Sequence, residues 1–259
     1  MKDRPSAVSG LFYPSEPDEL GRNISEMFKK VTTTNYRPKG LIVPHAGYCF
    51  SGEVAAHGYR LLQDIAGDID TVILLGPSHK VYVQGCVLSS FSSFSTPLGK
   101  ILVNRDICDK LLDLGLASEM DEAHLWEHSL EVQLPFLQTA LVDFNIVPVV
   151  VGECAQKTVK QLLNALKNID NTLIVVSTDL SHYHGYSMAQ ALDTITIDHI
   201  LNFQSVLQPQ DACGCYALNG FIDYCHENHW SISLLKRANS GDYGSDKREV
   251  VGYASFAAF

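Results

Sequence analysis

The sequence lacks several features that would point to particular classes of protein. No apolar run approaches the about 20 residues that a membrane-spanning helix needs, and Met1–Pro5 lacks the apolar core of a signal peptide. No basic cluster offsets the formal net charge of −10, which comes from 19 Lys and Arg against 29 Asp and Glu. Because phosphate groups are bound by positive surfaces, nucleic acid and membranes are not expected partners. We expect the chain to be cytosolic.

The seven cysteines show no framework of pairs. An odd number at irregular spacing is typical of reduced thiols, most of them packed in a core. Cys213 and Cys215 are separated by one residue only, which is too close for the usual zinc pair with two residues between. The sequence therefore does not predict a structural zinc site.

The chain contains 259 residues, 46% of them hydrophobic, and its apolar runs alternate with amphipathic stretches. This pattern predicts one α/β domain over residues 1–259 with a mixed sheet. The predicted strands cover 39–44, 70–75, 85–90, 100–103, 146–151, 172–177, 231–237 and 250–259. The predicted helices cover 17–30, a stretch capped by Ser51, 105–114, 126–138 with a kink at Pro135, 155–168, 187–201 and 214–228. The close spacing of strands 85–90 and 100–103 suggests that these two form an antiparallel pair.

Three of the apolar runs predicted as buried strands are each followed by histidine. They lead to His45, to His79 and to the Ser177–His184 stretch, which contains Asp179 and His182. In open α/β sheets, ligands bind at the carboxyl ends of the strands. The three strand ends are therefore expected to assemble one site.

A metal ion is the ligand that His45 and His79 favour, because neutral imidazole is the commonest metal ligand. A single histidine after a strand is more often a hydrogen-bonded structural residue, and two at two strand ends, each in a turn that contains Pro or Gly, shift the balance towards metal. On this hypothesis a third ligand has to come from elsewhere in the chain.

Asp179 and His182 lie three residues apart, so both side chains can face one cleft. The aspartate can orient an imidazole, ligate a metal or cap the following helix. His182 is either a ligand or a general acid and base, since its ordinary pKa of about 6.5 suits proton transfer near neutrality. His184 is left outside the predicted core of the site.

Cys213 precedes a predicted helix N-terminus, a position that lowers the pKa of a thiol. The resulting thiolate would ligate a soft metal or act as a nucleophile. Cys215 points in a different direction and is expected to pack in the core.

A second polar patch, made of Glu127, His128 and Glu131, lies on the helix predicted at 126–138. Glu127 and His128 either line the pocket or belong to a buried polar network at a helix start. His124 and His128 have the i, i+4 spacing of a ligand pair. The sequence is not His-Glu-x-x-His, which argues against a metalloprotease.

These motifs together resemble those of the Memo family, whose bacterial and archaeal members are called AmmeMemoRadiSam system protein B. The resemblance runs from about residue 4 to residue 259. The segments that carry it are Gly10–Pro14, Val43–Tyr48, Leu75–His79, Glu127–Phe136, Ser177–Tyr183 and Cys213–Gly214.

The resemblance implies a three-layer α/β/α fold with a mixed, largely parallel sheet, distantly similar to the class III extradiol dioxygenases, which are non-haem iron enzymes. It implies one iron or copper ion held by His45, His79 and Cys213. Asp179 and His182 become the predicted catalytic neighbours. It also implies association with an AMMECR-type protein and a radical S-adenosylmethionine protein.

One departure from the dioxygenases concerns the third ligand. Those enzymes use two histidines and a carboxylate, whereas a thiolate shifts preference towards Cu(I), Zn or a more covalently bound Fe. Cleavage of a catechol ring therefore does not follow from the fold.

The predicted function is redox chemistry at one Fe(II) or Cu ion, with oxygen or an unidentified small organic molecule as substrate. A zinc-dependent hydrolase is an alternative, since zinc-bound water ionises near neutral pH. A non-catalytic binding and signalling module is another alternative. A phosphopeptide pocket would need Arg or Lys, and the motif loops offer only Lys80.

Overall fold

The apolar runs of the sequence form the centre of one mixed sheet. The structure is a computed structural model and describes residues 2–32, 36–244 and 246–259. The strands in this part of the chain are β1 (Asp3–Arg4), β2 (Gly40–Val43), β3 (Thr71–Pro77), β4 (Cys86–Leu88), β5 (Ser93–Thr96), β6 (Gly99–Val103), β7 (Ser118–Glu119), β8 (Asn145–Val151), β9 (Thr172–Ser177), β10 (His182–His184), β11 (Ile232–Asn239) and β12 (Val250–Ala258).

Eight α-helices are present in the same described residues. They are α1 (Pro17–Lys29), α2 (Glu53–Tyr59), α3 (Arg105–Asp113), α4 (Asp121–Leu125), α5 (Leu134–Ala140), α6 (Gln156–Leu166), α7 (Tyr186–Leu201) and α8 (Cys215–Glu227). A π-helical turn, Tyr48–Gly52, precedes α2, and short 3-10 segments follow α2 and precede α5. None of the helices in the described ranges has both the length and the apolar sequence that crossing a bilayer requires.

Strands β8, β3, β9 and β2 lie side by side in that order and are parallel. Their side chains are buried almost throughout, as in sheets that are covered on both faces. Gly40 of β2 lies against Phe221 of α8, and the next residue, Leu41, lies against Gly58 of α2. Because successive residues of a strand point to opposite faces, α8 and α2 cover opposite sides of the sheet. The three-layer α/β/α prediction is confirmed.

The antiparallel part of the sheet differs from the sequence prediction. β6 pairs with β5 across a short turn, whereas β4, in the predicted strand 85–90, pairs with β8 and β7. The prediction that 85–90 and 100–103 pair was wrong, because the turn at residues 97–98 joins β6 to the strand directly before it. On the other side, β12 lies antiparallel to β2, β11 and β10.

Two local predictions were also wrong. The segment predicted as a helix over 126–138 is a turn at 127–130, followed by a 3-10 turn and α5. Pro135 lies in the first turn of α5, where its missing N–H leaves no helical bond unmade, so it helps to begin a helix and does not kink one. Ser51 lies inside the π-helical turn, and its hydroxyl donates to the Ala46 carbonyl and caps no helix.

The carboxyl ends of β3, β9 and β2 are neighbours at one edge of the sheet. His45 follows β2 after one residue, His79 follows β3 after one residue, and Asp179 lies two residues beyond β9. The order of the parallel strands therefore brings these side chains to the same edge.

Candidate metal centre

Three histidines meet at this edge. One ring nitrogen from each of His45, His79 and His128 lies within 4.8 Å of the other two. The ring centroids are 5.1 Å apart for His45 and His79, and 4.6 Å apart for His79 and His128, which stack. A cluster of this size is compatible with one metal ion, because Zn²⁺, Fe or Cu binds imidazole nitrogens at about 2.0–2.1 Å. The third histidine of the cluster, His128, is predicted from the sequence to line the pocket or to pair with His124, and not to join His45 and His79.

His45 is buried, with 1% of its surface exposed. Its Nδ1 lies 2.8 Å from the Ser177 hydroxyl, and its Nε2 lies 3.3 Å from Cys213 Sγ. Its backbone N–H donates to Asp179 Oδ1 at 2.8 Å. Both sides of the imidazole and the backbone are therefore held by residues from other elements.

Glu127 supports the other two histidines. This buried carboxylate accepts hydrogen bonds from the backbone N–H and the ring Nδ1 of His79, at 2.5 and 2.9 Å. It also accepts from the backbone N–H groups of His128 and Ser129. His128 Nδ1 lies 3.3 Å from the same carboxylate oxygen. Glu127 is not among the residues that line the cleft; it holds the imidazole of His79 by a hydrogen bond and lies next to that of His128.

The electrostatics of the cluster keep the imidazoles of His45 and His128 neutral. Burial lowers the pKa of His45 well below its ordinary value, and the neighbouring His79 lowers it further. Burial and the adjacent His45 lower the pKa of His128 to about 4. Burial alone would raise the pKa of Glu127, but the hydrogen bond from the His79 ring and those from the backbone N–H groups of His79 and Ser129 outweigh it and lower the pKa to about 2. Neutral imidazoles beside an ionised carboxylate are the protonation states in which histidine binds metals.

Cys213 lies beside this cluster. Its sulfur accepts a hydrogen bond from the backbone N–H of Asp179 at 3.3 Å. Burial raises the pKa of its thiol, and the Asp179 charge raises it further. The prediction that a helix N-terminus lowers the pKa of this thiol was wrong. Helix α8 begins only at Cys215, and burial raises the pKa more than the nearby backbone N–H groups lower it. A bound metal would deprotonate such a thiol directly.

Asp179 is a buried residue beside His45 at the base of the cleft. In addition to the bond from the His45 backbone, its second carboxylate oxygen lies 3.9 Å from His45 Nε2. Burial raises its pKa, opposed by the hydrogen bond from the His45 backbone and by the nearby His182 and His128. The helix that follows it, α7, begins seven residues later at Tyr186, so Asp179 does not cap it.

A cleft of about 640 Å³ opens over the cluster. Its walls include His182 and His184 of β10, which flank an exposed Tyr183 with a left-handed φ of 61°. The predicted acid and base, His182, thus shares one cleft with the three clustered histidines, Asp179 and Cys213. His184, which sequence reasoning had left out, lines the same cleft.

Sequence reasoning also missed the role of the segment before α1. Phe12 lines the cleft, and its ring packs on the His128 ring at a centroid distance of 4.7 Å. The segment is fixed by Glu131, which accepts from the backbone of Ala7 and Val8 and from the Tyr13 hydroxyl. The Gly10–Pro14 motif was the sequence signal that could have shown this role.

The proposed ligand pair of His124 and His128 does not form. His124 is buried, and its Nε2 donates to the Val87 carbonyl at 3.1 Å, on the side of β4. Burial lowers its pKa to about 4. The i, i+4 spacing has no meaning here because α4 ends at Leu125 and the chain turns before His128. Cys215 is buried, as predicted.

Comparison with known proteins gives the same family over almost the whole chain. The profile of the family described as Memo-like protein matches residues 4–257. A MEMO1 family protein of Methanosarcina mazei is 34% identical over 270 residues, covering 98% of each chain. One from Thermoplasma acidophilum is 34% identical over 268 residues, covering 100% of this chain and 99% of its own. One from Thermotoga neapolitana is 35% identical over 273 residues, covering 97% and 98%.

A solved structure has a similar fold. The crystal structure of an uncharacterised protein from Escherichia coli K12 superposes with a TM-score of 0.53 at 13% identity, covering 83% of this chain and 99% of that one. At this identity the similarity concerns the fold alone.

Proposed function

This chain belongs to the family of Memo-like proteins, and from that premise we propose that it binds one transition-metal ion, Fe(II) or Cu, for redox chemistry on a small molecule. The three-histidine cluster could hold a metal ion, and His45 and His79 are the two ligands common to this cluster and to the sequence prediction. Zn is the alternative metal.

The main support for the proposal is the arrangement of hydrogen bonds around the imidazole rings of His45 and His79. His79 Nδ1 faces a carboxylate, which only accepts, so Nδ1 carries the proton and Nε2 is bare. His45 Nδ1 faces the Ser177 hydroxyl, whose own proton goes to the Ser129 carbonyl, so His45 Nε2 is bare as well. Metal-binding histidines commonly have one nitrogen held by an acceptor in this way and the other free.

Two side chains compete for the third ligand position. Cys213 is the predicted one, and its sulfur lies 3.3 Å from His45 Nε2. A nitrogen and a thiolate bound to one tetrahedral metal lie roughly 3.5 Å apart, given bonds of about 2.0 and 2.3 Å. His128 is the other, as the third member of the cluster. We propose Cys213 as the third ligand, with His128 next to the open side.

A redox metal at this position would supply electron transfer to or from a bound molecule. The chain's own contribution is to hold the substrate in the cleft and to move protons. His182 lines the cleft as the proposed acid and base, and Asp179 is the proposed partner that orients it or ligates the metal. Phe12 limits the shape of the bound molecule.

Elemental analysis of protein purified without air tests the proposal. Near-stoichiometric Fe or Cu is expected in the wild type and not in His45→Ala. His57→Ala is the matched control, because His57 lies on α2 with its Nδ1 on the Glu53 carbonyl, outside the cleft. Stoichiometric Zn would favour a hydrolase. No metal in the wild type would contradict a metal site and favour a binding module.

A further inference from the structure

The Ser177 hydroxyl lies behind His45, at the end of β9, and Ser177 is not among the residues that line the cleft. We propose that Ser177, held in place by Gln133, is a positioning residue that fixes both the tautomer and the orientation of His45. This inference rests on the proposed metal-binding function and adds to it two residues that lie outside the ligand set.

Ser177 Oγ is fully buried and has three partners. It lies 2.6 Å from the Ser129 carbonyl oxygen, 2.8 Å from Gln133 Nε2 and 2.8 Å from His45 Nδ1. A hydroxyl has one proton to donate and can accept twice. The carbonyl can only accept and the amide nitrogen can only donate, so the hydroxyl proton goes to Ser129. The remaining partner, His45 Nδ1, must donate.

Gln133 has no freedom to reverse this arrangement. Its amide nitrogen also donates to the Pro44 carbonyl at 2.9 Å, and its amide oxygen accepts from the Tyr59 hydroxyl at 2.9 Å. Turning the amide round would set two oxygens against each other at Pro44. Gln133 is fully buried, so water cannot replace a lost partner.

The consequence appears on the other side of the imidazole. With Nδ1 protonated, His45 Nε2 presents a bare lone pair 3.3 Å from the Cys213 sulfur. Before a metal binds, the thiol proton can be donated to this nitrogen. The opposite tautomer would place an N–H where the metal has to bind. The hydrogen bonds that Ser177 makes with Ser129 and Gln133 therefore decide whether His45 can bind a metal through Nε2.

Ser177→Ala is the test, and Ser255→Ala is its matched control. Ser255 is also a fully buried serine in the sheet, on β12, but its hydroxyl has no hydrogen-bond partner among the described residues. Long-range ¹H–¹⁵N NMR of metal-free protein at pH 7.5 distinguishes a protonated ring nitrogen from a bare one, with His45→Gln used to assign the signal. Anaerobic titration with Co(II) gives the metal affinity.

The wild type and Ser255→Ala should show His45 with Nδ1 protonated. Ser177→Ala should lose this single tautomer, and its Kd for Co(II) should rise about 10- to 100-fold, the usual effect of removing a residue that orients a ligand. An unchanged His45 tautomer, together with a Kd within about twofold of Ser255→Ala, would overturn the proposal.

Two further readouts keep the result decisive. If Ser177→Ala fails to fold by circular dichroism, Gln133→Met replaces it, and His45 should then show a mixture of tautomers. A single Nδ1-protonated form in Gln133→Met would count against the inference. If wild-type protein binds no Co(II), the metal proposal fails, while the NMR result on metal-free protein still decides the role of Ser177.

Discussion

Glu127 and Glu131 lie four residues apart in one segment and are both about 1% exposed or less, yet they support different parts of the molecule. Glu127 accepts from imidazole and backbone N–H groups at the edge of the cleft. Glu131 pairs with the permanent positive charge of buried Arg4 and holds the N-terminal segment. In this pair, the carboxylate whose partner is a fixed positive charge has a structural role, and the carboxylate whose partners are histidines of the cluster supports the candidate site.

The largest expected effect is a loss of folding stability when the buried ion pair between Glu131 and Arg4 is broken. Glu131→Gln leaves the Arg4 guanidinium buried without its counter-charge, and removing one member of a buried ion pair typically costs about 3–5 kcal/mol. The measurement is the free energy of unfolding by urea denaturation. A loss below about 1 kcal/mol would show that Arg4 finds another partner or reaches water.

The next effect concerns the ligands themselves. Cys213→Ser should lower the metal affinity by more than about 100-fold if the thiolate is the third ligand, since a serine hydroxyl is a poor ligand for soft metals. His128→Gln should then lower it by less than about tenfold. Equilibrium dialysis of both variants against the same metal decides between them. A larger loss of affinity in His128→Gln than in Cys213→Ser would make His128 the third ligand.

A smaller loss of metal affinity is expected when Glu127 is replaced. Glu127→Gln keeps the shape but offers one carbonyl oxygen to His79 and His128, so the Kd for metal should rise about 10- to 100-fold. Its loss of folding stability should be smaller than that of Glu131→Gln, because no fixed charge is left unpaired. Equal losses of stability in the two variants would remove the distinction between the two carboxylates.

The smallest effect is a dependence of stability on pH. His45 and His128 have pKa values below their ordinary 6.5, so the unfolded chain binds more protons and stability falls as pH drops from about 6.5 towards about 4. The lowered pKa of Glu127 contributes stability above about 4.5, which is lost as pH falls towards about 2. Urea denaturation of metal-free protein at a series of pH values measures this dependence. Glu127→Gln should lack the loss of stability between about pH 4.5 and about 2. A flat profile in the wild type between pH 6.5 and 4 would contradict the burial of neutral histidines.

The strand-end pattern predicted the location of the site because it depends on local sequence and a simple rule of parallel sheets. His45, His79 and Asp179 each follow an apolar run directly, and β2, β3 and β9 are neighbours, so these residues meet. The strand-end rule did not predict that His128 and Phe12 lie at this site, because neither residue follows a strand. Their positions depend on a turn and on the N-terminal segment, both fixed by Glu127 and Glu131 through contacts with distant parts of the chain.

By itself the sequence determined the family, the α/β class and the parallel centre of the sheet, because apolar periodicity and long motifs are local properties. Only the tertiary structure decided which histidines cluster, that Cys213 is a half-buried thiol with a raised pKa, and that a serine and a glutamine set the tautomer of His45. The physical reason is that burial and hydrogen-bond partners depend on residues far apart in the chain. Ser177 and Gln133 are 44 residues apart, and each acquires its role only where β9 and the start of α5 come together.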